Sequence, residues 1–81
     1  MTKEQLLDYM NHGREIEFRF NGKMHSITYG TLNGKHVISF CEFYQETTEA
    51  ETPEEIFTVE RNGITVIQML ESITEDDIWV Y

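Results

Sequence analysis

The sequence predicts an α+β fold: an N-terminal helix, a three-stranded antiparallel meander, two short helices and a C-terminal strand, as one domain over residues 1–81. Two observations lead to this prediction. Polar and apolar residues alternate through 14–43 and are interrupted twice by Asn-Gly, while the flanking segments carry helix-capping sequences. Alternation of polar and apolar residues is typical of a half-buried strand, and Asn-Gly is the strongest short-range signal for a hairpin with a two-residue turn. A chain of this length has room for one core.

The two hairpin turns, Asn21-Gly22 and Asn33-Gly34, fix the pairing of the predicted strands. Phe18 then lies opposite His25, and His25 lies opposite Glu42. One face of the meander, the core face, is apolar and carries Ile16, Phe18, Phe20, Ile27, Tyr29, Ile38 and Phe40. The other face, the second face, carries Glu15, Glu17, Arg19, Ser26, Thr28, Ser39 and Cys41, with Met24, Val37 and Phe43 as its apolar members. A slip of one residue would mix these sets, so turn chemistry and hydrophobic pattern predict the same register.

A glycine inside the second predicted strand leaves two interpretations of that strand. Gly30 marks either a bulge or a strand that stops at Tyr29, with a longer loop after it. Both interpretations keep the pairing of the earlier residues, so the choice affects only the far end of the second hairpin.

The first segment has the pattern of an amphipathic helix. Thr2 and Gln5 have the spacing of a capping box, in which each side chain satisfies a backbone N–H of the other residue. The apolar residues Leu6, Leu7 and Met10 then fall at helical spacing. Gly13 ends the pattern, as expected for a residue in the left-handed conformation after a helix. We expect this helix to cross the core face.

After the meander, Gln45–Thr52 is polar, acidic and without periodicity, and it is predicted to be an exposed loop. A helix is expected to follow, since Thr52 is a good N-cap, Pro53 suits the first helical position and Glu55 completes a capping-box spacing. This second helix is short and reaches only Phe57 or Val59. The acidic residues of the loop are therefore expected to be free to meet solvent or a partner.

Residues 57–68 fit two structures. One is a third hairpin around Asn62-Gly63, and the other is a helix that starts at Thr65, with Gln68 at the capping-box spacing. The helical pattern is longer and has a start signal, so it is preferred, with Asn62-Gly63 joining two short helices. The β-prone end of the chain, Ile78–Tyr81, is predicted to add a fourth strand, at an edge that the sequence does not specify.

Charge divides the chain into two halves. Residues 1–41 carry a net charge of +1, whereas residues 42–81 carry −10, with Arg61 as the one base among eleven acids. Such a field repels phosphate backbones, so direct nucleic-acid binding is not expected, and basic protein surfaces are the natural partners. The alternative is that the acidic residues only keep a small domain soluble.

No apolar run approaches membrane-spanning length, and no leader pattern is present. The single cysteine suits a reducing compartment. We therefore expect a cytoplasmic protein without a membrane segment.

The chemistry-bearing residues do not form a recognisable catalytic or metal-binding pattern. The His25 and Glu42 pair is interpreted as structural, because no nucleophile or oxyanion donor accompanies it. Cys41 lies in an acidic chain, which gives no cation to activate its thiol. The histidines lack metal-ligand spacing, so neither a metal nor a cofactor is expected, and the sequence predicts a protein that is not an enzyme.

The leading hypothesis is a non-enzymatic interaction module that binds a basic protein surface. The alternative is a homo-oligomer that associates through a sheet edge or through the second face. The candidate partner-binding residues are Met24, Val37, Phe43, Glu46, Glu49, Glu51 and Glu54. A simpler possibility for the three apolar members is that the C-terminal helix or Trp79 covers them.

The order of these patterns along the chain resembles a group of proteins. The residues that carry the resemblance are the run Glu4-Gln5-Leu6-Leu7, the strand start at 13–18, the turn Asn21-Gly22-Lys23 and the helix start Pro53-Glu54-Glu55-Ile56, followed by a closing amphipathic helix. Together they resemble small uncharacterised acidic proteins of Gram-positive bacteria and their mobile elements. The resemblance implies no activity and carries over no functional residue.

Overall fold

The computed structural model describes residues 1–43 and 45–81, and its central element is a five-stranded antiparallel sheet. In chain order the elements are α1 (Lys3–Asn11), β1 (Ile16–Phe20), β2 (Lys23–Leu32), β3 (Lys35–Glu42), β4 (Thr47–Ala50), α2 (Pro53–Phe57), β5 (Glu60–Arg61), β6 (Ile64–Thr65), α3 (Val66–Ser72), a 3₁₀ turn (Glu75–Asp77) and β7 (Ile78–Val80). The strand order in the sheet is β4-β3-β2-β1-β7, and β5 pairs with β6 in a separate small hairpin. The predicted α+β class is therefore confirmed.

The meander has the predicted register. Phe18 lies opposite His25 and His25 lies opposite Glu42. The asparagine and glycine of both turns have positive φ, 52° and 73° in the first turn and 51° and 80° in the second, as a type I′ hairpin turn requires. β2 continues through Gly30, which pairs with Val37, so the strand neither stops at Tyr29 nor loses its register there.

Two glycines of the meander allow a matched test of the turn. We expect Gly22→Ala to lower the free energy of unfolding by about 1 kcal/mol, because an alanine at a φ of +73° is strained by its Cβ. Gly30→Ala is the control: that residue lies in a strand with open space where a Cβ would lie, and the change is expected to be neutral or to stabilise by about 0.5 kcal/mol. Urea unfolding of both variants measures the difference, and equal effects would contradict the strained-turn account.

The helix starts also follow the sequence. α1 has the complete capping box, with the Thr2 N–H donating to Gln5 Oε1 at 2.9 Å and the Gln5 N–H donating to Thr2 Oγ1 at 3.2 Å. α2 begins with Pro53 after the N-cap Thr52, whose Oγ1 accepts the N–H of Glu55 at 3.2 Å. These caps satisfy backbone donors that a helix start leaves unpaired, so short helices form in the places that the capping residues predict.

The prediction of a loop over Gln45–Thr52 was wrong. Thr47–Ala50 forms β4, which pairs with β3 and places Thr48 opposite Phe40 and Ala50 opposite Ile38. The segment lacks apolar alternation because its core-facing residues, Thr48 and Ala50, are polar or small. Its hydrogen bonds to β3 come from backbone groups, which the sequence pattern does not reveal. The meander therefore has four strands.

Residues 57–68 combine the two interpretations. The helix predicted from Thr65 is present as α3, with a capping box between Thr65 and Gln68. The prediction that Asn62-Gly63 joins two helices was wrong, because these residues form the turn of the β5–β6 hairpin, with φ of 56° and 81°. Asn-Gly favours a hairpin even where each strand has two residues, since the type I′ turn itself sets the chain direction.

The C-terminal strand joins the sheet beside β1, where Trp79 lies opposite Glu17. All three helices contribute buried side chains to one core with the core face: Leu6 and Met10 from α1, Ile56 and Phe57 from α2, and Val66, Met69 and Leu70 from α3. The helices therefore lie on one side of the sheet, and for α1 this placement was predicted. Among the described residues, no helix has the length and apolar character needed to cross a membrane.

Candidate protein-interaction surface

Within the described residues, the outer edge of β4 has no strand paired with it. The residues that flank a two-residue turn form a hydrogen-bonded pair, and such pairs alternate along an antiparallel ladder. Leu32 and Lys35 flank the second turn, so the odd-numbered residues of β3 bond to β2 and the even-numbered ones bond to β4. The N–H and C=O groups of Thr47 and Glu49 consequently point away from the sheet, and no other backbone bond to them occurs in the part of the chain that the structure describes.

Glutamates surround this edge. The four predicted partner-binding glutamates, Glu46, Glu49, Glu51 and Glu54, are all exposed and lie on β4, beside it or in the first turn of α2. Among the described residues, one cation pairs with them: Lys35 Nζ lies 3.8 Å from Glu51 Oε1, and both side chains are exposed. Such an exposed pair is weak. The structure therefore brings the acidic candidates together on an edge that is open to a partner.

The second face of the sheet has no helix packed on it in the described structure, because the buried residues of all three helices lie on the core side. Covering of this face by α3 is therefore ruled out for the described residues. Trp79 lies on this face beside β1 and stays 38% exposed, with the Arg19 guanidinium 5.8 Å from its ring centroid. The Arg19 Nη2 atom also contacts Asp77 Oδ1 at 2.8 Å, so one margin of the face is held by this pair.

The three apolar candidates on the second face do not meet. The Phe43 N–H donates to the Met24 C=O at 2.9 Å, so these residues are neighbours. Val37 lies opposite Gly30, six residues further along β2, which corresponds to about 20 Å. Small polar residues fill the rows between them. The face therefore has no single apolar patch that includes all three residues.

A shallow depression of about 280 Å³ lies on the second face, and the sequence did not predict it. Its walls include Glu15, Glu17, Phe43 and Tyr81. A hydrogen bond with the Glu17 side chain, together with burial and the nearby carboxylates, raises the pKa of the Tyr81 phenol. The sequence contains one signal for this site, the alternation in Ile78–Tyr81. Once it is known that β7 joins the sheet beside β1, this alternation places residues 79 and 81 on the second face.

His25 and Glu42 lie opposite each other as predicted, but His25 belongs to an aromatic stack in the core. Its ring centroid lies 4.9 Å from that of Phe18 and 5.7 Å from that of Phe40, with nearly parallel planes. The residue is 3% exposed. Burial lowers the pKa of His25, and the Glu42 carboxylate opposes this shift in part. His25 is therefore favoured in its uncharged form.

The remaining candidate groups form few contacts of chemical interest. The Cys41 thiol donates to the C=O of Glu42 at 2.9 Å. The described residues contain no group of three or more His, Cys, Asp or Glu side chains that could hold a metal ion.

The chain matches no known family model, and comparison with curated proteins and with solved structures gives no match. The function is therefore argued from the geometry above.

Proposed function

We propose that the protein is a non-enzymatic interaction module that binds a basic partner along the outer edge of β4. The observation that carries this proposal is the coincidence of unpaired backbone groups at Thr47 and Glu49 with the surrounding glutamates. An extended segment of a partner can add a strand to such an edge, with main-chain hydrogen bonds supplying affinity. Lysine or arginine side chains on that segment would meet the carboxylates, which supplies selectivity and faster association.

The charge of the edge argues against a second copy of this chain as the occupant. Pairing of two β4 strands would place Glu49 and its neighbouring glutamates against the same residues of the other copy. Like charges across paired strands are destabilising, and charged edges are a common protection against self-association. A partner with the opposite charge removes this penalty, so a basic segment fits the edge better than self-pairing does.

A homodimer through the second face is the second candidate function. Two exposed aromatic residues favour it, Trp79 at 38% and Tyr81 at 62% exposure, because aromatic residues are enriched in interfaces. The carboxylates of Glu15 and Glu17 on the same face oppose it. Light scattering at tens of micromolar separates the candidates: a monomer excludes the homodimer, and a dimer that persists when β4 is altered places the interface elsewhere.

We expect a synthetic peptide of about six residues that alternates Lys and Thr, near the usual length of a strand, to bind at β4. The double variant Glu49→Lys with Glu51→Lys should weaken binding by about tenfold, because each change replaces an attraction with a repulsion. The matched control is Glu75→Lys with Asp76→Lys, which changes net charge equally but lies on the 3₁₀ turn next to β1 and β7, away from β4. Fluorescence anisotropy at low and moderate salt measures the binding of the peptide to both double variants.

A second variant separates strand addition from simple charge attraction. Thr47→Pro removes one outward N–H while leaving every charge in place, and proline is tolerated on an edge strand where the N–H faces solvent. We expect it to weaken the peptide severalfold, and we expect the amide resonances of Thr47 and Glu49 to shift in the unaltered protein. Binding that is insensitive to salt, or that the control variant weakens as much as the β4 variant, would rule out the proposal.

A further inference from the structure

A polar cleft of about 160 Å³ opens at one end of the core, and none of its lining residues lies on β4. The first hairpin turn, the end of β3 and the β5–β6 turn meet there. Its polar lining consists of Asn21, Lys23, His25, Glu42, Arg61 and Asn62, with three apolar side chains completing the wall. One water molecule needs much less space than this, so the cleft can hold several waters or one small polar ligand.

The histidine of this cleft has an unsatisfied nitrogen. His25 is 3% exposed, and its Nδ1 atom is fully buried without a hydrogen-bond partner of good geometry among the described residues, although the Lys23 backbone lies close enough to favour the protonated ring and so to raise the pKa of His25 in part. Native proteins leave few such groups, and an unpaired one often indicates a missing water, ion or ligand or a functional role. His25 lines the cleft, so a small group bound there would lie beside its ring.

Arg61 is fixed in position at the cleft. Its Nη1 donates to the Glu60 C=O at 2.9 Å, its Nη2 donates to Thr48 Oγ1, and its guanidinium carbon lies 5.5 Å from the ring centroid of Phe40. A guanidinium has five N–H donors, so these contacts leave donors for a ligand. Arg61 is also the one basic residue after position 41, and it lies between this cleft and the core-side face of β4, where it contacts Thr48.

The charge of the cleft is opposite to that of the chain. Lys23 and Arg61 supply two positive charges, and Glu42 supplies one negative charge. Lys23 Nζ lies 3.5 Å from Glu42 Oε1, which is longer than a good charge-assisted hydrogen bond. The polar lining therefore has a net positive charge in a protein whose net charge is −9.

We propose that this cleft binds a small oxyanion, a carboxylate or a phosphate group. The guanidinium of Arg61 matches the planar or forked geometry of such oxygens. Lys23 adds a point charge, and the amides of Asn21 and Asn62 add neutral donors. A bound anion would favour the protonated form of His25 and would be opposed by Glu42, so binding should strengthen as the pH is lowered toward the titration range of His25.

The test uses the whole chain, with inorganic phosphate and acetate as separate probes and chloride at equal ionic strength as the reference. NMR follows the imidazole resonances of the three histidines. We expect the resonances of His25 to shift and the apparent pKa of His25 to rise. His12 and His36 are exposed and do not line the cleft, so we expect the positions of their resonances to be the same with and without the probe. A response to one probe alone identifies the carboxylate or the phosphate as the ligand class.

Two lysines provide matched variants, because each follows an Asn-Gly turn and each is exposed. Lys23→Gln should weaken anion binding at least threefold, whereas Lys35→Gln, outside the cleft, should change it by less than about a factor of 1.5. Both variants are expected to fold, so loss of binding is interpretable. The proposal is overturned if neither probe shifts His25 at about 50 mM, far above a dissociation constant of about 1 mM, or if the two lysine variants weaken binding equally.

Discussion

Replacing Phe18 with alanine is expected to lower the free energy of unfolding by about 3–5 kcal/mol, the usual cost of deleting a buried aromatic ring. Phe18 is 0% exposed and stacks on His25, and its ring centroid lies 6.2 Å from that of Phe40. The three rings belong to three adjacent strands, so the deletion opens a cavity where β1, β2 and β3 share side-chain contacts. A domain of this size has a total stability of about 4–12 kcal/mol, so the variant should be partly or largely unfolded near 37 °C.

Urea unfolding followed by circular dichroism measures this change. Phe18→Leu is the control, because it keeps most of the apolar volume and is expected to cost about 1–1.5 kcal/mol. The ratio of the two losses in unfolding free energy tests packing, since both variants remove the ring but only alanine leaves a large cavity. A loss under about 1 kcal/mol for Phe18→Ala would contradict the placement of Phe18 at the centre of the core.

Acidification is expected to destabilise the protein through His25. Burial lowers the pKa of His25 in the folded state below its ordinary value of 6.5, so the unfolded chain takes up a proton more readily. The contribution of uncharged His25 to the unfolding free energy is therefore fully present above pH 6.5. It is lost as the pH falls from 6.5 through the lower folded-state pKa. The loss is about 1.4 kcal/mol for each unit that separates the two pKa values.

The variant His25→Leu isolates this effect. Leucine keeps an apolar group between Phe18 and Phe40 and removes both the titration and the unpaired Nδ1 atom. We expect the unfolding free energy of the variant to depend less on pH just below 6.5, so its stability relative to the unaltered protein should increase as the pH is lowered. Chemical denaturation across this range gives both profiles. Parallel profiles would assign the pH dependence to the carboxylates instead.

The local sequence was enough to predict the meander and the helix starts. Asn21-Gly22 and Asn33-Gly34 form turns that need only four adjacent residues, and the caps at Thr2, Thr52 and Thr65 depend on residues three positions away. Interactions of such short range are encoded directly in the order of residues. The pairing of His25 with Glu42 followed from the same turns.

For the candidate site, the sequence predicted which glutamates could bind a partner but not the strand that carries them. Glu49 was expected in a loop, whereas it lies on β4, and the difference changes an acidic loop into a charged, unpaired strand edge. No apolar alternation indicates β4, because its core-facing residues are Thr48 and Ala50, which are polar or small. Met24 and Val37 share the second face, as the alternation predicted, but the alternation does not show that six residues of β2 separate them.

The register of the meander, the capped helix starts and the division of charge could all be read from the sequence, because each depends on neighbouring residues or on composition. Only the folded chain showed the strand β4, the edge that β7 joins, the convergence of Arg61 and Lys23 beside His25, and the side of the sheet that no described helix covers. These features join residues that are distant along the chain, and backbone hydrogen bonds or core packing fix them. Such contacts have no short-range signal in the sequence.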